Sequence, residues 1–158
     1  MRYQTMIRQP RLGVCSNYVA SLRAAPSGGG EKGAADQPSM WAMNVKSWVD
    51  DPLGDKALKV GIVDVTGVAF CGESPIQSVE VSTDGGATWA PAEMVGTDMG
   101  PYAWRRFSYR WDASPGQHQI ASRATSADGK VQPKDRVENH RGYAHNGWSD
   151  PSITVNVG

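Results

Sequence analysis

From Met40 onward, apolar and polar residues alternate in short runs separated by turn signals. Val79 and Val81 fall on one side of such a run, and Glu80 and Ser82 on the other. A period of two marks a half-buried antiparallel strand. Asp84-Gly85 follows as a hairpin turn, since glycine takes a positive φ without steric cost, and Trp89 opens the return strand toward Met94. The same alternation predicts strands at Met43–Trp48, Lys59–Phe70, Ile76–Thr83, Arg106–Trp111, the stretch after Pro115-Gly116, and Ile153–Val157. Phe107, Tyr109 and Trp111 share one face, and so do His118, Ile120, Ser122 and Ala124. Gly61 and Gly67 interrupt the long second run where a bulge or a close strand contact is expected. About seven short strands with Gly- and Pro-rich turns predict an all-β, immunoglobulin-like antiparallel sandwich, the architecture that buries one face of every strand. The Cys–Trp–Cys signature of antibody domains is missing, and there is no convincing internal repeat.

The first 39 residues read differently. Ala24-Ala-Pro-Ser-Gly-Gly-Gly-Glu-Lys-Gly33 is a polar, flexible composition, and Met1–Leu22 has no sustained period. Residues 1–39 are expected to be an N-terminal arm and linker, and residues 40–158 the sandwich.

Composition then narrows the functions. The chain has 158 residues, enough for one ordinary domain, with 16 basic residues against 16 acidic ones. That balance gives no field to attract nucleic acid or an anionic membrane. No apolar run approaches a membrane span of about 20 residues, and no signal-peptide core follows Arg2 and Arg8. Cys15 and Cys71 form no metal or haem spacing, and leave open either one disulfide or two free thiols.

Candidate chemistry is sparse. Ser82-Thr-Asp-Gly-Gly-Ala-Thr-Trp89 fits the Asp-box hairpin, where Asp84 is expected to bond turn amides and Trp89 to pack beneath them; a single copy argues against a propeller. No catalytic residue and no metal ligand is assigned. The densest polar cluster, Glu138–His145, holds His140 and His145, but a metal site needs three or four convergent ligands, so these read as loop histidines, like His118 in its strand. No nucleophile elbow, phosphate loop or dinucleotide fingerprint occurs. Arg141 stands out within the same loop, between Asn139 and Gly142. Its guanidinium suits bidentate capture of an oxyanion, with a surface or loop-bracing arginine as the alternative.

A series of stretches resembles the C-terminal, dimerisation domain of the sulfite oxidase family of molybdenum enzymes. They run in order from Val45-Lys-Ser-Trp48 and Gly67-Val-Ala-Phe70 through Ile76–Trp89, Trp104-Arg-Arg-Phe107 and Pro115-Gly-Gln-His118. Arg123-Ala124, Gln132-Pro133, Asn139-His-Arg-Gly142, Asn146-Gly-Trp148 and Ile153–Val157 complete the series. The resemblance implies an immunoglobulin-like sandwich that forms a homodimer. It implies a molybdopterin-type molybdenum cofactor held by a partner catalytic domain or subunit that this chain does not contain. A cytochrome is implied as electron acceptor, and the periplasm as location where the partner is exported. Asn139-His140-Arg141-Gly142 matches the family stretch whose arginine reaches the substrate pocket, which makes Arg141 the expected substrate-binding residue, for a sulfur oxyanion. The alternative is a free-standing immunoglobulin-like binding or scaffolding module.

Overall fold

The computed structural model describes residues 42–54, 57–136 and 144–158. Apart from Ala144, these residues belong to one compact unit. Nine strands are found among them: β1 (Lys46–Asp51), β2 (Ala57–Leu58), β3 (Gly61–Phe70), β4 (Ile76–Ser82), β5 (Ala90–Pro91), β6 (Glu93–Val95), β7 (Arg105–Ala113), β8 (Gly116–Ser126) and β9 (Ile153–Val157). They form a four-stranded sheet in the order β1-β3-β7-β6 and a five-stranded sheet in the order β2-β9-β8-β4-β5. Without the two-residue strands β2 and β5, these orders follow the ABED and CFG sheets of the immunoglobulin fold. The all-β sandwich expected from the alternation is the observed architecture. Among the described residues no helix is long and apolar enough to cross a membrane.

The strand count exceeds the expected seven for a physical reason. The predicted return strand from Trp89 to Met94 is divided between the sheets. Ala90 and Pro91 pair with β4, whereas Glu93–Val95 pair with β7. Between them the Ala92 amide still donates to Val79 O at 2.9 Å. The chain therefore changes sheets in one short step, and a simple period of two cannot reveal a strand that swaps partners midway. β2 is the other addition, a short parallel pairing with β9.

The inner faces meet in one core. Val49 and Val65 from the first sheet, Val79 and Val81 from β4, Phe107 and Trp111 from β7, and Ile120 and Val155 from the second sheet are all buried in it. Burial of each such side chain contributes roughly 1.5–3 kcal/mol. Gly67 is where β3 passes beneath Phe107, its cross-strand partner. A Cβ at Gly67 would lie 2.4 Å from the Phe107 ring and 2.2 Å from Trp48 O, so only glycine fits the expected close approach.

A polar node joins the sheets. Gln132 follows β8 and is fully buried. Its Oε1 accepts from Ser47 N at 2.9 Å, Ser47 Oγ at 2.8 Å and Ala124 N at 3.2 Å, and its Nε2 donates to Ser47 O at 3.3 Å. Ser122 Oγ adds a bond to Ser47 Oγ at 3.0 Å. The amide of Gln132 thus meets both backbone groups of Ser47 in the way a neighbouring strand would. It satisfies groups whose burial without partners would be costly, and it covers the open edge of β1.

Candidate functional site

Arg141, His140 and Asn139 lie in residues 137–143, outside the described residues, as does Cys15. What is described is the neck from which that segment leaves and to which it returns. The outgoing stem starts at Gln132. Pro133 O accepts from Trp148 N at 2.9 Å and Lys134 O accepts from Ser149 N at 3.0 Å, so the returning stem lies against the outgoing one. Gly147 allows this contact, because a Cβ there would fall 2.6 Å from Arg136 N and 2.9 Å from the Asp135 carbonyl carbon. Asn146 Nδ2 donates to Val45 O at 2.9 Å, and Lys46 Nζ donates to His145 O at 3.2 Å. Both stems are therefore fastened to β1, one through Gln132 and one through His145 and Asn146.

The Asp-box hairpin supports this neck. Asp84 Oδ1 accepts from Thr88 N at 2.9 Å, and Asp84 Oδ2 accepts from Thr88 Oγ1 at 2.6 Å. Ser82 Oγ donates to Asp84 Oδ1 at 2.7 Å and accepts from Gly86 N at 2.8 Å. The Thr88 hydroxyl and amide, with Ser82, hold the Asp84 carboxyl well below the usual carboxylate range. These are the turn bonds expected of the motif. Trp89 Nε1 donates to Gly86 O at 3.1 Å, and its ring meets Trp148 edge to face with centroids 5.0 Å apart. The Arg123 guanidinium lies 4.3 Å from the centre of the Trp89 ring while pairing with Glu80 at 2.7 Å. Gly86 has φ +91°, and a Cβ on it would stand 2.3 Å from the Trp148 ring. The hairpin is a seat for Trp148, and Trp148 closes the neck.

The three histidines are treated differently. His118 Nε2 is 2.9 Å from Ser114 O, and its ring packs against Trp111 at 4.9 Å. It braces the turn between β7 and β8. His145 lies in the neck with Nδ1 3.6 Å from Asp150 Oδ2, and His140 is outside the described residues. Among the described residues no three His, Cys, Asp or Glu side chains converge on a point where a metal ion could sit. Cys71 carries a free, buried thiol with Sγ 3.9 Å from Met43 O. The described residues thus offer a molybdenum cofactor no accessible thiolate and no ligand set.

Reading residues alone did not single out Gln132, Asn146 and Trp148 as anchors, although each stands in a stretch that carries the family resemblance. Their partners are far away in sequence, 85 residues for Gln132 and Ser47 and 101 for Asn146 and Val45. The only local signal was an amide side chain beside Pro133 and a glycine between Asn146 and Trp148.

An immunoglobulin-like sandwich whose stretches on either side of residues 137–143 are fastened to each other and to the start of β1 is thus the class of molecule at hand. The chain belongs to the family described as the Mo-co oxidoreductase dimerisation domain, whose model matches residues 37–156. It is similar to human mitochondrial sulfite oxidase, at 30% identity over 126 residues that cover 75% of this chain and 23% of that protein. Mouse mitochondrial sulfite oxidase is 29% identical over the same shares. Among solved structures, the sulfane dehydrogenase SoxCD from Paracoccus pantotrophus matches with a TM-score of 0.60 and 29% identity, covering 73% of this chain and 33% of that one. The chain spans less than a quarter of the length of those sulfite oxidases.

Proposed function

We propose that this unit pairs two copies of a sulfite oxidase-like molybdenum oxidoreductase and lends Arg141 to a substrate pocket built by a partner domain or subunit. The similar proteins are named for sulfite oxidation and sulfane dehydrogenation. In this reading the substrate is a sulfur oxyanion. The molybdenum cofactor, held by the partner, supplies oxygen-atom or electron transfer chemistry when bound. Electrons leave to a cytochrome-type acceptor, and residues 1–39 are an arm and linker alongside the partner domain.

Arg141 binds and orients. A guanidinium presents parallel N–H donors that match two oxygens of an oxyanion, and it keeps its charge at every working pH. Fixing the substrate's charge and rotation converts encounters into reactive poses. The observation that carries the reading is the neck. Bonds from buried Gln132, from Asn146 and from Trp148 fasten both stems of the segment that bears Asn139-His140-Arg141-Gly142.

Steady-state kinetics of the assembled enzyme test it. Arg141→Ala is expected to raise KM for the oxyanion by about 10- to 100-fold, the usual worth of a hydrogen bond to a charged group. Arg141→Lys should recover part of that loss, keeping the charge without the fork. Unchanged KM in Arg141→Ala would overturn the role.

A further inference from the structure

We infer that the cofactor-bearing partner seats on one end of the first sheet, on an aromatic platform of Trp48, Phe70 and Trp104 with Tyr102 and Met43 beside it. The inference rests on the proposed role of Arg141 in a partner's pocket. It goes further by naming the surface that receives that partner.

β1 begins at this end, β3 ends here and β7 begins here, with Lys46 opposite Phe70 and Ala69 opposite Arg105. Trp104, just ahead of β7, stacks on Phe70 with centroids 5.0 Å apart and meets Trp48 edge to face at 5.3 Å. Phe70 is buried beneath it, yet Trp104 itself stays 58% exposed. Gly72 N donates to Met43 O at 3.0 Å, and Tyr102 N donates to Gly72 O at 3.1 Å. Met43 and Tyr102, each about half exposed, are thereby brought to the same end. Trp, Tyr and Met are the residue types that carry interfaces, whereas single aliphatic side chains such as Val60 are ordinary surface.

The loop that bears Tyr102 and Trp104 is held in place. Asp98 pairs with Arg105 at 2.6 Å and accepts from Gly100 N at 2.8 Å. Tyr102 has φ +64°, the left-handed region that bulky residues avoid. Holding a backbone against its preference while leaving its ring half exposed does not serve the core; it presents the ring to a neighbour.

The neck stands on the adjoining edge. Lys46 Nζ donates to His145 O at 3.2 Å, and Asn146 Nδ2 donates to Val45 O at 2.9 Å. β1 and β7 are two strand spacings apart, roughly 10 Å. Arg141 is four residues from His145 in sequence, a chain reach of at most about 14 Å. A domain that binds Arg141 is therefore drawn against the end where Tyr102 and Trp104 stand uncovered.

Hydroxyl-radical footprinting tests this on the dilute isolated full chain and on the assembly purified from its native source. Met43, Tyr102 and Trp104 are expected to label freely in the isolated chain. In a molybdenum-containing assembly their labelling should fall by about fivefold or more as the interface excludes water. Val60, at the far end of β3, should label equally in both. Trp104→Ser and Tyr102→Ser, with unchanged far-ultraviolet circular dichroism, should lower the molybdenum recovered per copy of this chain by about tenfold or more. Equal labelling of the three residues in the chain and in a molybdenum-containing assembly would overturn the surface and leave the role of Arg141 standing. Weak labelling in the dilute isolated chain would show the surface covered by the chain itself or a second copy, and would overturn it too. So would variants that keep their molybdenum and lose only the second copy. An assembly without molybdenum would overturn the role of Arg141, and this inference with it.

Discussion

Gln132 shows most clearly how single side chains hold this molecule together. Its amide answers two buried amides, one buried hydroxyl and one carbonyl from β1 and β8. Truncation to alanine would leave those groups unpartnered in the core. Gln132→Ala is expected to cost on the order of 2–4 kcal/mol, read as a lower midpoint in urea unfolding; a change below about 0.5 kcal/mol would show the node to be dispensable. Two turn carboxylates contribute to the dependence of stability on acid. Lys130 and Ser126 hold the Asp128 carboxyl at about 2, and the Thr88 bonds hold Asp84 lower still, both from an ordinary value of 3.8. Carboxylates depressed in the folded state bind fewer protons there than in the unfolded chain. Their stabilisation is therefore complete above 3.8 and is lost as the pH falls through about 2. The melting temperature should drop across that window, and Asp128→Asn should make the drop shallower. Equal slopes for wild type and variant would contradict this assignment.

At the scale of elements, the Asp-box hairpin ties a local motif to a distant loop. Gly86→Ala adds a Cβ at φ +91° against the Trp148 ring. It should cost on the order of 2–3 kcal/mol and should release the neck as well as the turn. Faster hydrogen exchange at the Trp148 and Ser149 amides, which bond Pro133 O and Lys134 O, would report that release; exchange unchanged at both would separate hairpin from neck. The hairpin was legible from residues 77–92 because its signals are local: alternation, Asp-Gly, then tryptophan. β7, β8 and β9 were legible for the same reason, with Phe107, Ile120 and Val155 facing inward as their spacing requires. The beginning of β1 and the division of β5 from β6 were not. β1 starts at Lys46 rather than near Met43 because its pairing with β3 opens at Phe70, and pairing partners are set by the whole fold. The neck was illegible for the same reason. Its hydrogen bonds join residues that alternation cannot connect; the residues alone drew attention to Arg141, but not to the anchors on either side of it.

The described residues form a sandwich in which buried Gln132, Asn146 and Trp148 fasten the stretches that flank residues 137–143. The family assignment rests on residues 37–156, nearly all of the sandwich. The role of Arg141 is a proposal built upon it. The central claim, that this unit works within a molybdenum oxidoreductase, is tested most directly by isolating the protein from its native source without chelators. Molybdenum content, co-purifying polypeptide and mass would be measured on the same preparation. About one molybdenum per copy of this chain, in a particle that holds two copies, is the predicted result. A metal-free preparation with no partner polypeptide would contradict it, and would leave a free-standing sandwich whose function lies in what it binds.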